Sequence, residues 1–316
     1  MTATDQSGGA LPRKIAVLMG GPGSEREVSL ATGKGVTNAL RSLGADVTEV
    51  DVRGTDFDLP EGTELAFLAM HGTFGEDGQV QEILEKRGVP YTGENVEGSR
   101  TAFDKILSKE KFDAHRVTTP EWEIIRAGEK PSLQLPLVIK APRQGSTVGV
   151  YIVKDEAALA AALTEAVQFD ERLLVEKFIP ARELTVGILG DQALPVLEII
   201  AKDGFYDFAE KYPFLTPGGS GGGGAQHVCP AEIPAEQTAA IQNLALRAHR
   251  SLGLEVYSRV DVMLPPSGEP TVLEINTIPG MTPSSLLPDA AGVAGISYPQ
   301  LCARIIELSL AARRRA

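Results

Sequence analysis

Three oxygen-bearing side chains near the C-terminal end of the chain, beside an arginine, have types and spacing suited to a metal ion. Arg259 and Asp261 lie two residues apart in one apolar segment. Glu274 and Asn276 have the same spacing in the next. Side chains two apart in a β-strand share a face, so a hairpin with its turn at residues 267–268 brings these groups together. Such oxygen ligands suit Mg²⁺, which proteins hold with one or two carboxylates plus substrate phosphates. The alternative is a surface hairpin with cross-strand charge pairs.

Three lysines are candidates for binding phosphate, because each lies in or beside an otherwise apolar segment. They are Lys105, Lys140 and Lys211. A lysine is rarely buried without a partner, but each of these taken singly fits better a surface position, with its stem along an apolar face. Residues 145–149, Gly-Ser-Thr-Val-Gly, follow Lys140 and offer backbone N–H groups and hydroxyls to a phosphate. An ordinary hairpin turn is the alternative for this segment.

A glycine-rich run, Pro-Gly-Gly-Ser-Gly-Gly-Gly-Gly, occupies residues 217–224. Ordering such a segment costs on the order of 1–2 kcal/mol per residue, so we expect a mobile loop. It could be a linker, but it follows Lys211 and Tyr212 within a region that is otherwise typical of a core. This position favours a lid over an active site, spanning residues 205–228.

Residues 15–43 combine an apolar run, a glycine turn and a helical pattern, and Asp51 ends the next strand. This order is typical of a dinucleotide site, but two details disagree. Arg26 occupies the place of the third glycine, and Glu25 puts a negative charge where a pyrophosphate would lie. Residues 24–27 match the capping box Ser-x-x-Glu, which predicts that Ser24 caps the following helix.

Hydrophobic periodicity predicts an N-terminal α/β unit with a parallel sheet, followed from about Gly98 by a mixed α+β region. The predicted strands cover residues 15–19, 47–52, 65–70, 137–140, 149–153, 173–178, 184–189, 194–200, 258–264 and 271–275. The predicted helices cover residues 28–43, 80–86, 103–109, 156–168, 235–251 and 298–312.

Composition restricts the class of protein. The 316 residues are 43% hydrophobic and 23% charged, which predicts a globular protein of more than one domain. A net charge of −12 argues against nucleic acid as a partner. Cys229 and Cys302 are distant in sequence, so neither a disulfide framework nor a zinc site is expected. We find no signal-peptide pattern and no apolar stretch of about 18 residues, and therefore expect a cytoplasmic protein without a membrane partner.

Several motifs in order give the chain a resemblance to the D-alanine:D-alanine ligases of the ATP-grasp superfamily. They are Gly-Gly at 20–21 with Ser-Glu-Arg-Glu-Val-Ser at 24–29, His-Gly at 71–72 with Gly-Glu-Asp-Gly at 75–78, Arg-Val-Asp-Val-Met at 259–263, and Glu-Ile-Asn-Thr-Ile-Pro-Gly-Met-Thr at 274–282. The resemblance extends from residue 14 to about residue 310. It implies a three-domain ATP-grasp architecture with a Rossmann-like N-terminal domain. We place the domains at 13–97, 98–181 and 182–316.

The resemblance implies an ATP-dependent ligase that joins two D-alanines through an acyl phosphate for peptidoglycan synthesis. Its partners would be ATP, D-alanine and two Mg²⁺ ions, for which Mn²⁺ can substitute, and homodimers are common in the family. In the family, a tyrosine at the position of Tyr212 accompanies dipeptide formation, whereas the depsipeptide-forming relatives depart from it. A D-alanine:D-lactate or D-alanine:D-serine ligase is therefore the nearest alternative. A non-catalytic dinucleotide-binding protein is the alternative from another class.

The resemblance also implies a role for each candidate residue. Glu25 and His71 would lie at the first D-alanine, and Ser146 would join Glu25 to Tyr212. Arg259 and the backbone N–H of Gly280 would stabilise an oxyanion, and Ser285 and Leu286 would hold the second carboxylate. The residues implied in ATP binding are Lys105, Lys140, Glu176, Lys177, Ile179, Glu183 and Lys211. The metal ligands would be Asp261, Glu274 and Asn276.

Overall fold

The computed structural model describes residues 11–145, 147–201 and 225–313. In these residues the N-terminal part contains β1 (Lys14–Gly20), α1 (Arg26–Ser42), β2 (Asp46–Val52), β3 (Leu65–Leu68) and α2 (Gln79–Lys86). The strands form a parallel sheet of order β2-β1-β3. The predicted α/β unit with a parallel sheet is therefore confirmed. Apart from the exposed Lys14, β1 and β3 are apolar and buried, as is typical of a parallel sheet covered by helices.

The second part contains α3 (Val96–Phe103), α4 (Lys105–Ala114), β4 (Trp122–Arg126), β5 (Leu137–Lys140), β6 (Val150–Val153), α5 (Glu156–Ala166) and β7 (Arg172–Lys177). Its antiparallel sheet has the order β4-β7-β5-β6. The one helix predicted at 103–109 is wrong, because two helices meet at Asp104. That residue has an extended backbone, and its side chain accepts hydrogen bonds from the N–H groups of Ile106 and Leu107.

The third part contains β8 (Arg182–Leu189), β9 (Gln192–Ala193), β10 (Leu197–Ile200), β11 (Gln226–Val228), α6 (Ala235–Ser251), β12 (Tyr257–Leu264), β13 (Thr271–Asn276), α7 (Leu286–Val293) and α8 (Tyr298–Arg313). The antiparallel sheet has the order β11-β10-β8-β12-β13, with β9 beside β8. The strand predicted at 194–200 begins only at Leu197, as β10, and the short strand β9 precedes the predicted range. Pro195 lies in the gap and has no N–H to donate to a sheet.

The last helix returns to the N-terminal sheet. Leu301 and Ile305 of α8 are buried in one core with Val36 and Leu40 of α1 and with strand β1. The first and third parts of the chain therefore share a core, which fixes the N-terminal glycine turn relative to the strands of the third part. The domain boundaries at 97/98 and 181/182 stay predictions.

None of the helices in the described parts of the chain combines the length and apolarity needed to span a bilayer.

Candidate active site

The hairpin of β12 and β13 has the predicted register. Arg259 lies opposite Asn276 and Asp261 opposite Glu274, with a bulge directly after Asp261. The turn includes Gly268, whose positive φ of 83° suits glycine and whose N–H donates to the carbonyl of Pro265. The intervening side chains pack into the core on the opposite face of the sheet. The cross-strand pairing predicted from alternation is therefore confirmed.

Asp261 is only 5% exposed and is held by three neighbours. Arg259 donates from Nε and Nη2 to its two carboxylate oxygens at 2.8 and 2.7 Å. Thr185 of β8 donates its hydroxyl to Oδ1 at 2.7 Å, and Asn276 donates Nδ2 to Oδ2 at 3.2 Å. Such a charge-assisted bidentate pair fixes the orientation of both groups. The carboxylate is thus held in place at the base of the site.

The two carboxylates and one carboxamide of the hairpin suit Mg²⁺ completed by phosphate oxygens better than a metal ion whose ligands all come from the protein. Within residues 11–145, 147–201 and 225–313 we find no group of three or more His, Cys, Asp or Glu side chains suited to an ion. The hairpin provides two carboxylates and a carboxamide, and Glu274 lies 3.4 Å from the Lys105 ammonium. Two carboxylates completed by phosphate oxygens is the usual environment of Mg²⁺.

A cavity of about 530 Å³ lies between the second and third sheets. Its lining includes six residues predicted to bind ATP, together with two predicted metal ligands: Lys105, Lys140, Glu176, Lys177, Ile179, Glu183, Asp261 and Glu274. Val138, Ile152, Phe178, Met263 and Leu273 add an apolar surface. A largely apolar cavity with a few convergent charges is typical of a small-molecule site. Asn276 lines an adjoining, smaller cavity with Lys105 and Glu274.

Glu176 lies below this cavity in β7 and is 1% exposed. Its carboxylate forms ion pairs with the ammonium groups of Lys109 and Lys140. Burial alone would raise the pKa of Glu176, but the two lysine charges outweigh it and lower this pKa to about 2. Burial lowers the pKa of Lys109. Lys109 is not among the residues predicted from the sequence, although its position one helical turn after Lys105 is a usable signal.

Glu25 is buried at the start of α1, and its surroundings differ from the predicted capping box. The helix begins at Arg26 with Glu25 as its N-cap residue, and no side chain caps it. Ser24 and Glu27 are both exposed, so that prediction was wrong. The box fails because the helix begins one residue later than the motif requires. Glu25 lies against Gly72 and Gly145, which places the glycine turn, the loop after β3 and the loop after Lys140 together.

His71 is buried beside this group and is fully held. Its Nε2 lies 2.9 Å from the Thr32 hydroxyl, and its Nδ1 lies 2.9 Å from the carbonyl of Ile278. Glu76 belongs to the motif at residues 75–78 but was not predicted as a site residue, and its Oε1 lies 3.8 Å from Nδ1 of His71. Burial lowers the pKa of His71, but the hydrogen bond and charge of Glu76 and the charge of Glu25 outweigh it, so the pKa is raised. His71 therefore joins the N-terminal sheet to the loop after β13.

That loop carries the remaining predicted residues of the third part. Ser285 is the N-cap residue of α7, and its hydroxyl contacts the backbone N–H and the hydroxyl of Thr282 at 3.1 and 2.7 Å. A β-carbon on Gly280 would lie 3.1 Å from the Ser285 hydroxyl, so the two residues are close. Leu286 is buried at the first position of the helix. The loop thus brings Gly280, Ser285 and Leu286 into one segment.

Three predicted site residues, Ser146, Lys211 and Tyr212, lie outside the described residues. The same holds for residues 205–224 of the predicted lid. The predicted lid extends too far at its C-terminal end, because Gln226–Val228 form β11, which pairs with β10. The backbone of these residues is extended and hydrogen-bonded within the sheet, so they do not belong to a loop.

Side chains of α1 and β2 form contacts across the glycine turn that follows β1. Arg26 forms a salt bridge with Asp51 at 2.8 Å and also donates to the carbonyls of Gly21 and Val52. The hydrogen bond from Arg26 and the charge of Arg53 lower the pKa of Asp51. The carboxylate that a dinucleotide protein would use for a ribose is therefore engaged by arginine.

Comparison with known proteins gives a consistent result. Residues 107–307 match the family model described as the D-ala D-ala ligase C-terminus. The D-alanine–D-alanine ligase of Methylacidiphilum infernorum is 47% identical, covering 95% of this chain and 96% of the relative. That of Citrifermentans bemidjiense is 46% identical, covering 93% and 95%.

A solved structure agrees over nearly the whole length. The crystal structure of D-alanine–D-alanine ligase from Bacillus anthracis complexed with ATP has a TM-score of 0.81 and 31% identity. The match covers 96% of this chain and 99% of that one. The chain therefore belongs to the D-alanine–D-alanine ligase family and has its ATP-grasp fold.

Proposed function

We propose that this protein is an ATP-dependent ligase that joins two D-alanines into D-alanyl-D-alanine for peptidoglycan precursor synthesis. One observation carries the proposal: a single cavity collects lysines from α4 and β5 together with carboxylates from the β12–β13 hairpin. Phosphoryl transfer depends on positioning and charge stabilisation far more than on covalent help from the protein. Family membership supplies the substrate, since the relatives carry the name of this activity.

ATP is expected to occupy the cavity between the second and third sheets. The apolar surface that includes Ile179 and Phe178 suits a purine ring, with Glu183 at the ribose. Backbone groups of Glu176, Lys177 and Ile179 would meet the adenine. Lys105, whose ammonium lies 3.4 Å from the Glu274 carboxylate, and Lys140 would meet the phosphates, with Lys211 at the transferred one.

Asp261, Glu274 and Asn276 would hold magnesium, which the family resemblance implies as two ions. The metal supplies positive charge that neutralises the phosphates during transfer. Arg259 keeps the Asp261 carboxylate oriented through its two hydrogen bonds. The hairpin would therefore position the phosphates before chemistry begins.

The first D-alanine would bind near Glu25 and His71, with its ammonium group facing the Glu25 carboxylate. Its own carboxylate would attack the γ-phosphate to give an acyl phosphate and ADP. The amine of the second D-alanine would then attack the acyl carbon and release phosphate. Arg259 and the N–H of Gly280 would stabilise the oxyanion of that step.

The second D-alanine would be held through its carboxylate by Ser285 and Leu286, at the N-terminal end of α7. Ser146 and Tyr212 would complete the site by joining Glu25 to the predicted lid, which would exclude water from the acyl phosphate. We place the reaction in the cytoplasm, where ATP is supplied, and expect a homodimer. Light scattering on the purified protein measures its mass.

The activity is tested by incubating the protein with ATP, Mg²⁺ and D-alanine, and separately with D-alanine plus D-lactate or D-serine. We expect D-alanyl-D-alanine with stoichiometric ADP. ATP hydrolysis without dipeptide would overturn the proposal. A larger yield of the D-lactate or D-serine product would favour the alternative ligases, which family membership does not favour.

A further inference from the structure

Lys109 is the most deeply buried cation near the nucleotide cavity, yet it does not line that cavity. It is 1% exposed and lies one turn after Lys105 in α4. Its ammonium group contacts the Glu176 carboxylate and the Thr119 hydroxyl. A buried lysine is stable only with such partners, so its position is specified by these contacts.

The orientation of Thr119 shows which group donates. Its hydroxyl donates to the carbonyl of Val272 at 2.9 Å, which leaves its lone pairs for the Lys109 ammonium. Val272 belongs to β13, which also carries Glu274. Lys109 is therefore tied on one side to the metal-binding hairpin and on the other to Glu176.

Glu176 depends entirely on its two lysines. No other donor among residues 11–145, 147–201 and 225–313 reaches either carboxylate oxygen. Two ammonium groups and one carboxylate leave a net charge of about +1 at the cavity floor. Without Lys109, the carboxylate would face Lys140 alone, and that pair would be neutral.

We propose that Lys109 is a positioning residue for nucleotide binding, which neutralises Glu176 so that the charge of Lys140 remains available to the phosphates. Lys140 lines the cavity, whereas Lys109 acts on the ligand only through Glu176. The inference rests on the proposed function, because it assumes that the cavity binds ATP. It predicts that the effect of Lys109 is confined to ligands that carry phosphate.

The test is Lys109→Met, with binding of ATP, ADP and adenosine measured by calorimetry in the presence of MgCl₂. We expect ATP and ADP to bind about 10- to 30-fold more weakly, which is the scale of losing one unit charge roughly 8–12 Å from a phosphate charge at an effective dielectric of about 20. Adenosine should bind equally well to both proteins. In the ligase assay, the KM for ATP should rise while the KM for D-alanine stays unchanged.

A second substitution separates charge from structure. Adding Glu176→Gln to Lys109→Met removes the carboxylate that would otherwise neutralise Lys140, so most of the lost affinity for ADP should return. A purely structural role would not give this rescue, because the double variant has lost more native contacts. Lys111→Met is the matched control, since Lys111 is exposed in the same helix. If Lys109→Met does not fold by circular dichroism, Lys109→Gln takes its place.

The outcomes are distinct. Equal weakening of ATP and adenosine, unchanged ADP binding in Lys109→Met, or no rescue by Glu176→Gln would each overturn the inference. A wild-type protein that binds no ATP would overturn the proposed function, and this inference with it.

Discussion

Gly145 lies so close to the Glu25 carboxylate that a β-carbon on it would lie 2.5 Å from Oε1. Real β-carbons do not approach an oxygen this closely, so Gly145→Ala must displace the Glu25 side chain. Because the atom to be displaced, Oε1, is at the end of the flexible Glu25 side chain, we expect the free energy of unfolding to fall by less than about 1 kcal/mol. The KM for D-alanine should rise by roughly tenfold to a hundredfold, since misplacing a substrate-holding group by about 1 Å has effects of that size.

The control for this change is Gly54→Ala, because a β-carbon there meets no atom within 4 Å. The measurement is steady-state kinetics with D-alanine varied at saturating ATP. An unchanged KM for D-alanine in Gly145→Ala would show that Glu25 does not hold the amino acid.

Asp261→Asn tests the hairpin. The substitution keeps the size of the side chain but removes its charge, so the bidentate pair with Arg259 is lost. An amide nitrogen would then face the donors of Arg259 or Asn276, which costs about 1–3 kcal/mol of unfolding free energy. We expect turnover to fall at least about 100-fold because the metal loses a carboxylate ligand.

Circular dichroism should show an intact fold for Asp261→Asn. Asp58→Asn, at an exposed position, should retain full activity and stability. Dipeptide formation at the wild-type rate by Asp261→Asn would show that the Asp261 carboxylate is not needed for catalysis.

Asp51→Asn addresses the dinucleotide alternative. Its salt bridge with Arg26 lies at the surface, where such pairs contribute about 0–1 kcal/mol, so stability should change little. Ligase activity should be unchanged because the pair lies outside the nucleotide cavity. NADH fluorescence should show no binding to the wild-type protein. Binding of NADH that is lost in Asp51→Asn would contradict this account.

Sequence periodicity located the N-terminal sheet and the β12–β13 register because both depend on local alternation and burial. The same patterns failed where one side chain decides the backbone. Asp104 ends one helix and caps the next, and Pro195 separates β9 from β10. Propensity averaged over a window does not resolve such single-residue effects.

The site was only partly predictable for a related reason. Asp261 and Glu274 are neighbours across one hairpin, so their proximity follows from alternation. Glu176 and Lys109 lie far apart in sequence, and only the tertiary fold brings the side chains of α4 and β7 together. Lys109 was missed because a lysine in a polar helix is ordinarily exposed.

Glu94 predicts a pH dependence of stability. It is buried, and its carboxylate accepts hydrogen bonds at 2.8–3.1 Å from the N–H groups of Glu255, Val256 and Tyr257, at the start of β12. Burial raises the pKa of Glu94 to about 7, although the three N–H donors act in the opposite direction. The residue thus anchors the strand that carries Arg259 and Asp261 to the N-terminal part of the chain.

The raised pKa means that the folded protein keeps the Glu94 proton to higher pH than the unfolded chain, whose carboxyl titrates near 4.5. Stability falls with pH wherever the folded state binds more protons. The contribution of Glu94 to the free energy of unfolding should therefore decrease between pH 4.5 and about pH 7. Glu94→Gln cannot titrate, so its profile lacks this decrease, although it loses hydrogen bonds at every pH.

Urea unfolding of both proteins at pH 5 and pH 8 measures the difference. Other titrating groups are common to wild type and variant, so they cancel when the two unfolding free energies are subtracted. The stability advantage of wild type over Glu94→Gln should be larger at pH 5 than at pH 8. Glu97→Gln, at an exposed position in α3, should show a constant difference. Parallel profiles for Glu94→Gln and wild type would mean that the three N–H donors, and not burial, set the ionisation of Glu94.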